Sequence, residues 1–391
     1  MSRRGLRKRR LLTLIASVVI AGVLVVLGAI WLAVLVLLIA VWRASRYQGV
    51  PVMVYHAVAP NPGWLPWADN TAIRPAVFAA HMAHLAKSGW QVIASRDLIA
   101  AQAGAPLPKR AVVLHFDDAY LDFWTQAVPV LRRHNLPATV FASSDFIDPS
   151  DRVRDPAGLD DHRGYMNADE LRAADANPLF EVACHGRDHA RVTTGPATTS
   201  RAPEIWGKET AWLWSHMQGN KSRWFAVAPP MLTQVPDNDA SLCARIWSPE
   251  GLEAPEDRNA RVTADLTHAR QRLMQVLGRD VRFLCWPFDR CDDTAVANAR
   301  AAGFTALTGG QADNVPKRGV ALISRTHVND FAAGVPVPHW VEALIFRARL
   351  EVAAGNLLFW PVTAVAAVLR KRRFAFLHTP SQTARETEVS H

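Results

Sequence analysis

Along most of this chain, short apolar runs alternate with stretches whose apolar residues recur every three or four positions. Residues 52–55, 91–93, 111–116, 138–142, 180–184, 281–286, 304–307 and 321–324 are runs of strand length. Between them, residues 74–87 place Phe78, Met82 and Leu85 on one helical face, and residues 96–103, 123–134, 262–277 and 292–302 read as further helices. Gly278 and Gly303 end the last two, Pro129 kinks or breaks residues 123–134, and Asn167-Ala-Asp-Glu170 has the form of a capping box opening a helix through Ala174. The alternation predicts an α/β domain built on a parallel sheet, open or closed into a barrel. Residues 193–259 break the rhythm with Trp206, Trp212, Trp214, Trp224 and Trp247 among Pro, Asn and Asp, and read as a large insertion over one loop. Those tryptophans either stack on sugar rings or form the insertion's own core.

The pattern changes at both ends. Residues 11–42 hold no charged side chain over 32 positions, more than the ~20 needed to cross a bilayer. The run is too long for the apolar region of a cleaved signal peptide, ~7–15 residues. Two short spans would strain its length, so it reads as one tilted, uncleaved helix. The dense basic run before Leu11 puts the N-terminus in the cytoplasm and the following domain outside, facing the periplasm or exterior from the inner membrane. Residues 352–369 are mostly apolar and lead into Arg370-Lys-Arg-Arg373; a second span and an interfacial helix fit equally. The expected divisions are a basic tail and anchor over 1–46, the domain over 47–330, and a membrane-associated segment with a polar tail over 331–391.

Charge and cysteine content refine this picture. The formal charge of the 391-residue chain is +9, but the first ten residues carry six Lys/Arg and residues 370–373 four more. Setting those ten aside leaves 34 basic against 35 acidic residues, so the domain has no electrostatic footprint for nucleic acid. Four cysteines lack Cys-x-x-Cys spacing, leaving three disulfide pairings and buried free thiols all open.

Two stretches carry candidate chemistry. His115-Phe-Asp117-Asp118 ends an apolar run with adjacent carboxylates, and His185-Gly-Arg-Asp-His189 follows another with imidazoles four residues apart. One carboxylate and two imidazoles form a ligand set for a zinc-type metal with open positions, and the spare carboxylate is a candidate general base. In a parallel barrel such groups sit where strands end, as Phe288 also does.

In their order, these motifs resemble the polysaccharide deacetylases of carbohydrate esterase family 4, the NodB-homology group. His115-Phe-Asp-Asp-Ala119 stands for that family's Thr-Phe-Asp-Asp-Gly, His185-Gly-Arg-Asp-His189 for His-Ser/Thr-x-x-His, and Cys285-Trp-Pro-Phe-Asp289 loosely for Arg-Pro-Pro-Tyr-Gly. Val52-Met-Val-Tyr-His56 ahead of these matches the circularly permuted branch that is similar to poly-N-acetylglucosamine deacetylases. The resemblance implies a distorted (β/α) barrel, here behind an N-terminal transmembrane helix. It implies a divalent metal, zinc first, on Asp118, His185 and His189, with Asp117 as base, His56 as acid and the Phe288 backbone N–H at the oxyanion. The implied activity is hydrolysis of acetyl groups, N-acetyl before O-acetyl, from a polysaccharide outside the cytoplasm, with exopolysaccharide synthesis or export proteins as partners. The alternatives are a catalytically degenerate glycan-binding or scaffold subunit and an enzyme acting on a lipid-linked sugar. The sequence departs from the family at Ala119, Cys285 and His115; Arg325, in Ser324-Arg-Thr-His327, is a candidate replacement for the missing motif arginine, and His115 a candidate group behind the site.

Overall fold

The computed structural model describes residues 3–197, 214, 217–228, 235–316 and 322–377. Trp206, Trp212, residue 321 and the 381–391 tail lie outside the described residues. The chain divides into two compact units, residues 1–6 with 48–329 and residues 7–47 with 330–391.

The first unit is built on a sheet whose longer strands are mostly apolar and almost wholly buried, which suits parallel pairing with both faces covered. Its sheet contains β1 (Val52–Tyr55), β2 (Gln91–Val92), β3 (Ala111–Phe116), β4 (Ala138–Ala142), β5 (Phe180–Cys184), β6 (Phe283–Leu284), β7 (Ala306–Thr308), β8 (Leu322–Ile323) and β9 (Thr326–His327). The order is β8-β7-β6-β5-β4-β3-β1-β9, with β2 paired to β3, and every pairing is parallel. The sheet curls as a distorted (β/α) barrel, because one short stretch serves both edges: β8 pairs with β7, and β9, two residues on, pairs with β1.

Asn314 fastens this return. Its amide donates to the carbonyls of Val50 and Ser324, both at 2.9 Å, and accepts from the Ser324 N–H at 2.9 Å. Gly49 has no side chain here for a steric reason, since a Cβ would lie 2.8 Å from the Asn314 carbonyl oxygen. Inside the curl, Val52, Val113, Phe141, Ala183, Phe283 and Ile323 pack together. On the outer face, Tyr55 stacks on Phe116 under Phe78 of the Pro75–Lys87 helix.

Several boundaries differ from the sequence expectation. The helix expected from residue 262 begins at Pro255, a proline at its first turn, so the insertion ends earlier. Pro129 likewise sits at the start of Val128–Arg133, after a π-helical turn over Phe123–Ala127. Within the insertion, Arg191–Ala197 pairs antiparallel with Pro236–Ala240. Trp214 and Trp224 join an aromatic cluster with Tyr120, Tyr165 and Phe146.

The second unit corrects the reading of residues 11–42 as one tilted helix. The chain forms α1 (Arg3–Val26) and α2 (Ile30–Ser45), separated by a turn. Gly28 adopts φ +78°, the Gly28 N–H donates to the Val25 carbonyl and the Ala29 N–H to that of Leu24, a glycine stop of the kind that satisfies terminal carbonyls. The helices run antiparallel: the Arg10 guanidinium near the start of α1 donates to the carbonyls of Arg43 (2.7 Å) and Arg46 (3.1 Å) at the end of α2. Among the described residues one helix, Arg4–Val26, is long and apolar enough to cross a membrane. The apolar run at 352–369 is not continuous helix, because His339–Ala354 stops at Gly355 (φ +107°) and Trp360–Leu377 begins after a 3-10 turn.

Asn314→Ala should destabilise the chain by about 3 kcal/mol, since it leaves three buried backbone groups unpaired at roughly 1 kcal/mol or more each. A denaturation midpoint unchanged from wild type would show that the clasp does not hold the sheet.

Candidate active site

The two-residue repeat of a strand aims the site. Val52, Val113, Ala183, Phe283 and Ile323 all point into the curl, so residues an even number of positions further on point the same way. Those residues are His56, His115 and Asp117, His185, Cys285, and Arg325 with His327. Because the strands are parallel, the last of each set arrives at the same, C-terminal rim. His56, Asp117, Asp118, His185, His189 and Phe288 thus line one cavity of about 470 Å³.

Asp118 Oδ1 lies 3.3 Å from His185 Nε2 and 3.7 Å from His189 Nε2. One ligand atom from each residue falls within 4.8 Å of the others. His185 Nδ1 is 3.0 Å from the Cys285 carbonyl, to which it donates, so Nε2 is turned toward Asp118. Burial alone would lower this imidazole, but Cys285 and the hydrogen bond to Asp118 raise it well above its ordinary range, so Nε2 carries a proton toward Asp118 that a bound cation would replace. Burial lowers His189 to about 4, so its imidazole is neutral and can ligate. This donor set, two imidazoles and one carboxylate with room on the cavity side, fits a borderline divalent cation such as zinc. Asp117, His185 and Cys285 also converge, but burial pushes the Cys285 thiol up to about 11, which keeps it protonated and a poor ligand.

Asp117 is a bridge between charges. Its Oδ1 accepts from Arg325 Nη1 at 2.7 Å and its Oδ2 faces His56 Nε2 at 3.7 Å. Burial alone would raise this carboxyl, but the Arg325 guanidinium, His185 and His56 hold it well below the usual carboxylate range. Arg325 therefore fills the place that Cys285 leaves empty; the Cys285 thiol is 3.6 Å from the same carboxylate oxygen. Burial lowers His56, against the pull of Asp117 and Asp118. Below the rim, His115 Nε2 is 2.9 Å from Ser95 Oγ, and burial lowers the ring to about 3. It is a neutral group in the layer beneath Asp117.

Strain collects at this rim. Eight non-glycine residues among those described have positive φ, and Asp118, Ala119, His189, Phe288 and Asp289 are five of them. Ala119 has φ +50° where the family motif has glycine, a conformation costing an L-residue ~1–2 kcal/mol. Such conformations concentrate where ligand or substrate groups must be aimed.

Three parts of the site escaped the sequence reading. Asp289 pairs with both Arg325 and His327, and the His327 ring stacks on His56 at 5.4 Å. The cavity wall opposite is aromatic, from Trp67, Tyr120, Phe146, Tyr165 and Trp214. Lys221, nearly buried in the insertion, reaches Asp188 at 2.6 Å and Asp145 at 3.7 Å, bracing the turn that carries His185 and His189. Alternation with Arg325 was the available signal for His327; Asp289 closes the Cys285–Asp289 motif, but nothing local marks its pairing, and nothing local marks Lys221.

Comparison with known proteins supplies the family. The model of the polysaccharide deacetylase family matches residues 104–307, just over half the chain, and the chain belongs to that family. A poly-β-1,6-N-acetyl-D-glucosamine N-deacetylase of Escherichia coli (strain K12) is 30% identical over 117 residues, which is 29% of this chain and 17% of that protein. The chain thus spans only a small part of this curated relative. Among solved structures, the BpsB deacetylase domain from Bordetella bronchiseptica has a TM-score of 0.51 at 21% identity, over 73% of this chain and 98% of that one. A de-N-acetylase from Aggregatibacter actinomycetemcomitans has a TM-score of 0.50 at 19% identity, over 71% of this chain and 95% of its own. At these identities the likeness establishes a shared fold.

Arg325→Gln should lower turnover by about a hundredfold or more, in the range typical of losing a positioned proton-transfer group, with Arg325→Lys recovering part of it and bound metal unchanged. Turnover that survives Arg325→Gln would remove the arginine from the site. A second test uses Asp122, a buried carboxyl that accepts from the Val58 N–H at 2.9 Å and is pushed by burial up to about 7. Its folded-state proton is held more tightly than the ~3.9 of an unfolded aspartate. Stability is therefore greatest below that value and declines as pH rises through about 7. Asp122→Asn should lose less Tm than wild type between about pH 5 and pH 8; equal losses would refute the assignment.

Proposed function

We propose that this chain is a membrane-anchored, metal-dependent deacetylase that removes N-acetyl groups from a polysaccharide of the poly-N-acetylglucosamine type. The observation that carries the reading is the convergence of Asp118, His185 and His189 beside a second carboxylate held charged by Arg325. Family membership and the sequence similarity to an N-deacetylase support the substrate class. The apolar helix Arg4–Val26 supports the anchor.

Asp118, His185 and His189 would hold the metal, which when bound supplies Lewis-acid polarisation of the acetamide carbonyl. Asp117 accepts the proton of the attacking water; its Oδ2 is turned from Arg325 toward His56, so the proton taken up lies near the residue that must deliver one. His56 gives a proton to the departing amine nitrogen, and its stacking against His327 fixes the ring. The Phe288 backbone N–H serves the developing oxyanion. The aromatic wall accepts the apolar face of a pyranose and keeps water from the acetyl group. The departures at Ala119 and Cys285, which favour a non-catalytic scaffold, are each met: Ala119 adopts the glycine conformation and Arg325 reaches the base.

The test is metal content and acetate release from N-acetylglucosamine oligomers by the purified full chain. Wild type should bind about one divalent ion and release acetate, Asp117→Asn should keep the ion and lose at least a hundredfold in rate, and His185→Ala should lose both. Acetate release by a metal-free preparation would overturn the metal assignment, and a metal-loaded chain inert on every acetylated oligomer would overturn the substrate.

A further inference from the structure

The two N-terminal helices form a pair with unlike ends. At one end, Arg7, Lys8, Arg9 and Arg10 of α1 gather with Arg43 and Arg46 that follow the apolar part of α2, because Arg10 bonds the carbonyls of Arg43 and Arg46. At the other, Val26, Leu27, Ile30 and Trp31 are apolar and 58–87% exposed. Along the shafts the large aliphatic side chains are outward, while Ala21, Ala33, Ala40 and Ala44 are buried. Large apolar residues outside and small ones inside is the pattern of helices solvated by lipid tails, the inverse of a helix pair solvated by water.

Length then decides how this pair meets a bilayer. The uncharged parts, residues 11–26 and 30–42, are about 24 Å and about 20 Å long at ~1.5 Å per residue. The hydrocarbon core is ~30 Å thick. Arg4–Val26 as a whole has the length to cross, but its first turns carry Arg4, Arg7, Lys8, Arg9 and Arg10; with that basic end fixed among the headgroups, the uncharged remainder stops short of the opposite surface, and the turn carries no charge that would draw it there.

We propose that residues 3–45 are a re-entrant anchor, entering and leaving the bilayer through one face, so that the deacetylase unit lies on the same side as the basic N-terminus. The inference rests on the anchored reading proposed above. The occupant of the exposed apolar surface is lipid, and the basic collar complements anionic headgroups. Because the Lys/Arg residues flanking the apolar run all lie on one side, the positive-inside rule makes that side cytoplasmic. This reverses the placement that a single crossing implies, and it puts the site where glycans are assembled on the membrane.

The experiment uses the full chain in bacterial membranes, in a Cys243→Ser, Cys291→Ser background; the two remaining cysteines, Cys184 and Cys285, are fully buried. Single cysteines are introduced as Ser2→Cys, Leu27→Cys and Glu250→Cys and probed with a membrane-impermeant maleimide on spheroplasts and on inverted vesicles. Positions 2 and 250 should label in inverted vesicles and not in spheroplasts, and position 27 in neither until detergent is added. Labelling of 2 and 250 from opposite faces, of either from the outer face, or of 27 from the outer face would overturn the one-sided anchor. Washing with alkaline carbonate separates the two levels of failure. A chain released by the wash overturns the anchored reading itself, whereas a chain that stays in the pellet but labels on the wrong side overturns only the hairpin. Acetate release from the same membranes reports on the deacetylase reading independently of both.

Discussion

Two adjacent carboxylates cannot both stay ionised in a mostly buried rim unless cations meet them, and much of the first unit can be understood as meeting that demand. Asp117 is only 2% exposed. Its counter-charge, Arg325, is nearly as buried and is itself bracketed by Asp289 on the far side. Asp118 is left to the imidazoles of His185 and His189 and to whatever cation they share. Removing one partner from such a buried pair typically costs ~3–5 kcal/mol, more than any surface ion pair of this chain contributes.

That demand reaches into the topology. Arg325 lies 208 residues from Asp117 in sequence, on the stretch where the sheet returns to its first strand. The clasp of Asn314 on Val50 and Ser324 holds the residue just before the arginine. Closure of the sheet and ionisation of Asp117 are therefore parts of one arrangement. Cys285 is a neutral neighbour of Asp117, whose counter-charge is delivered by Arg325 from the link between β8 and β9.

The parts that were legible in the sequence share a property: the signal and the structure it reports are local. The strands over 52–55, 111–116, 138–142 and 180–184 lie at the predicted limits because each is a mostly apolar run, interrupted only by His115, Thr139 or Glu181. Asp117, Asp118, His185 and His189 follow those strands directly, so placing the strands placed them. The shorter β6 was expected to be longer because Val281, Cys285 and Trp286 beside it are also apolar and buried. Asp289 and His327 are paired across 38 residues, and Lys221 with Asp188 across 33, distances at which no spacing rule operates. The break at Gly28 was overlooked because one glycine in a long apolar run weighs little against its hydropathy, although its left-handed conformation decides the shape of the whole segment.

The insertion does two things at once. Trp214 forms part of the cavity wall, and Lys221, seven residues on, holds the turn between His185 and His189 through Asp188. A saccharide settling against the wall and a cation settling among the ligands therefore act on the same short piece of chain. Thermodynamic linkage requires any such coupling to be mutual: if the cation orders that segment for the sugar, the sugar tightens the cation by the same factor. On the proposed reading, retention of the cation would then depend in part on whether a saccharide lies against the wall.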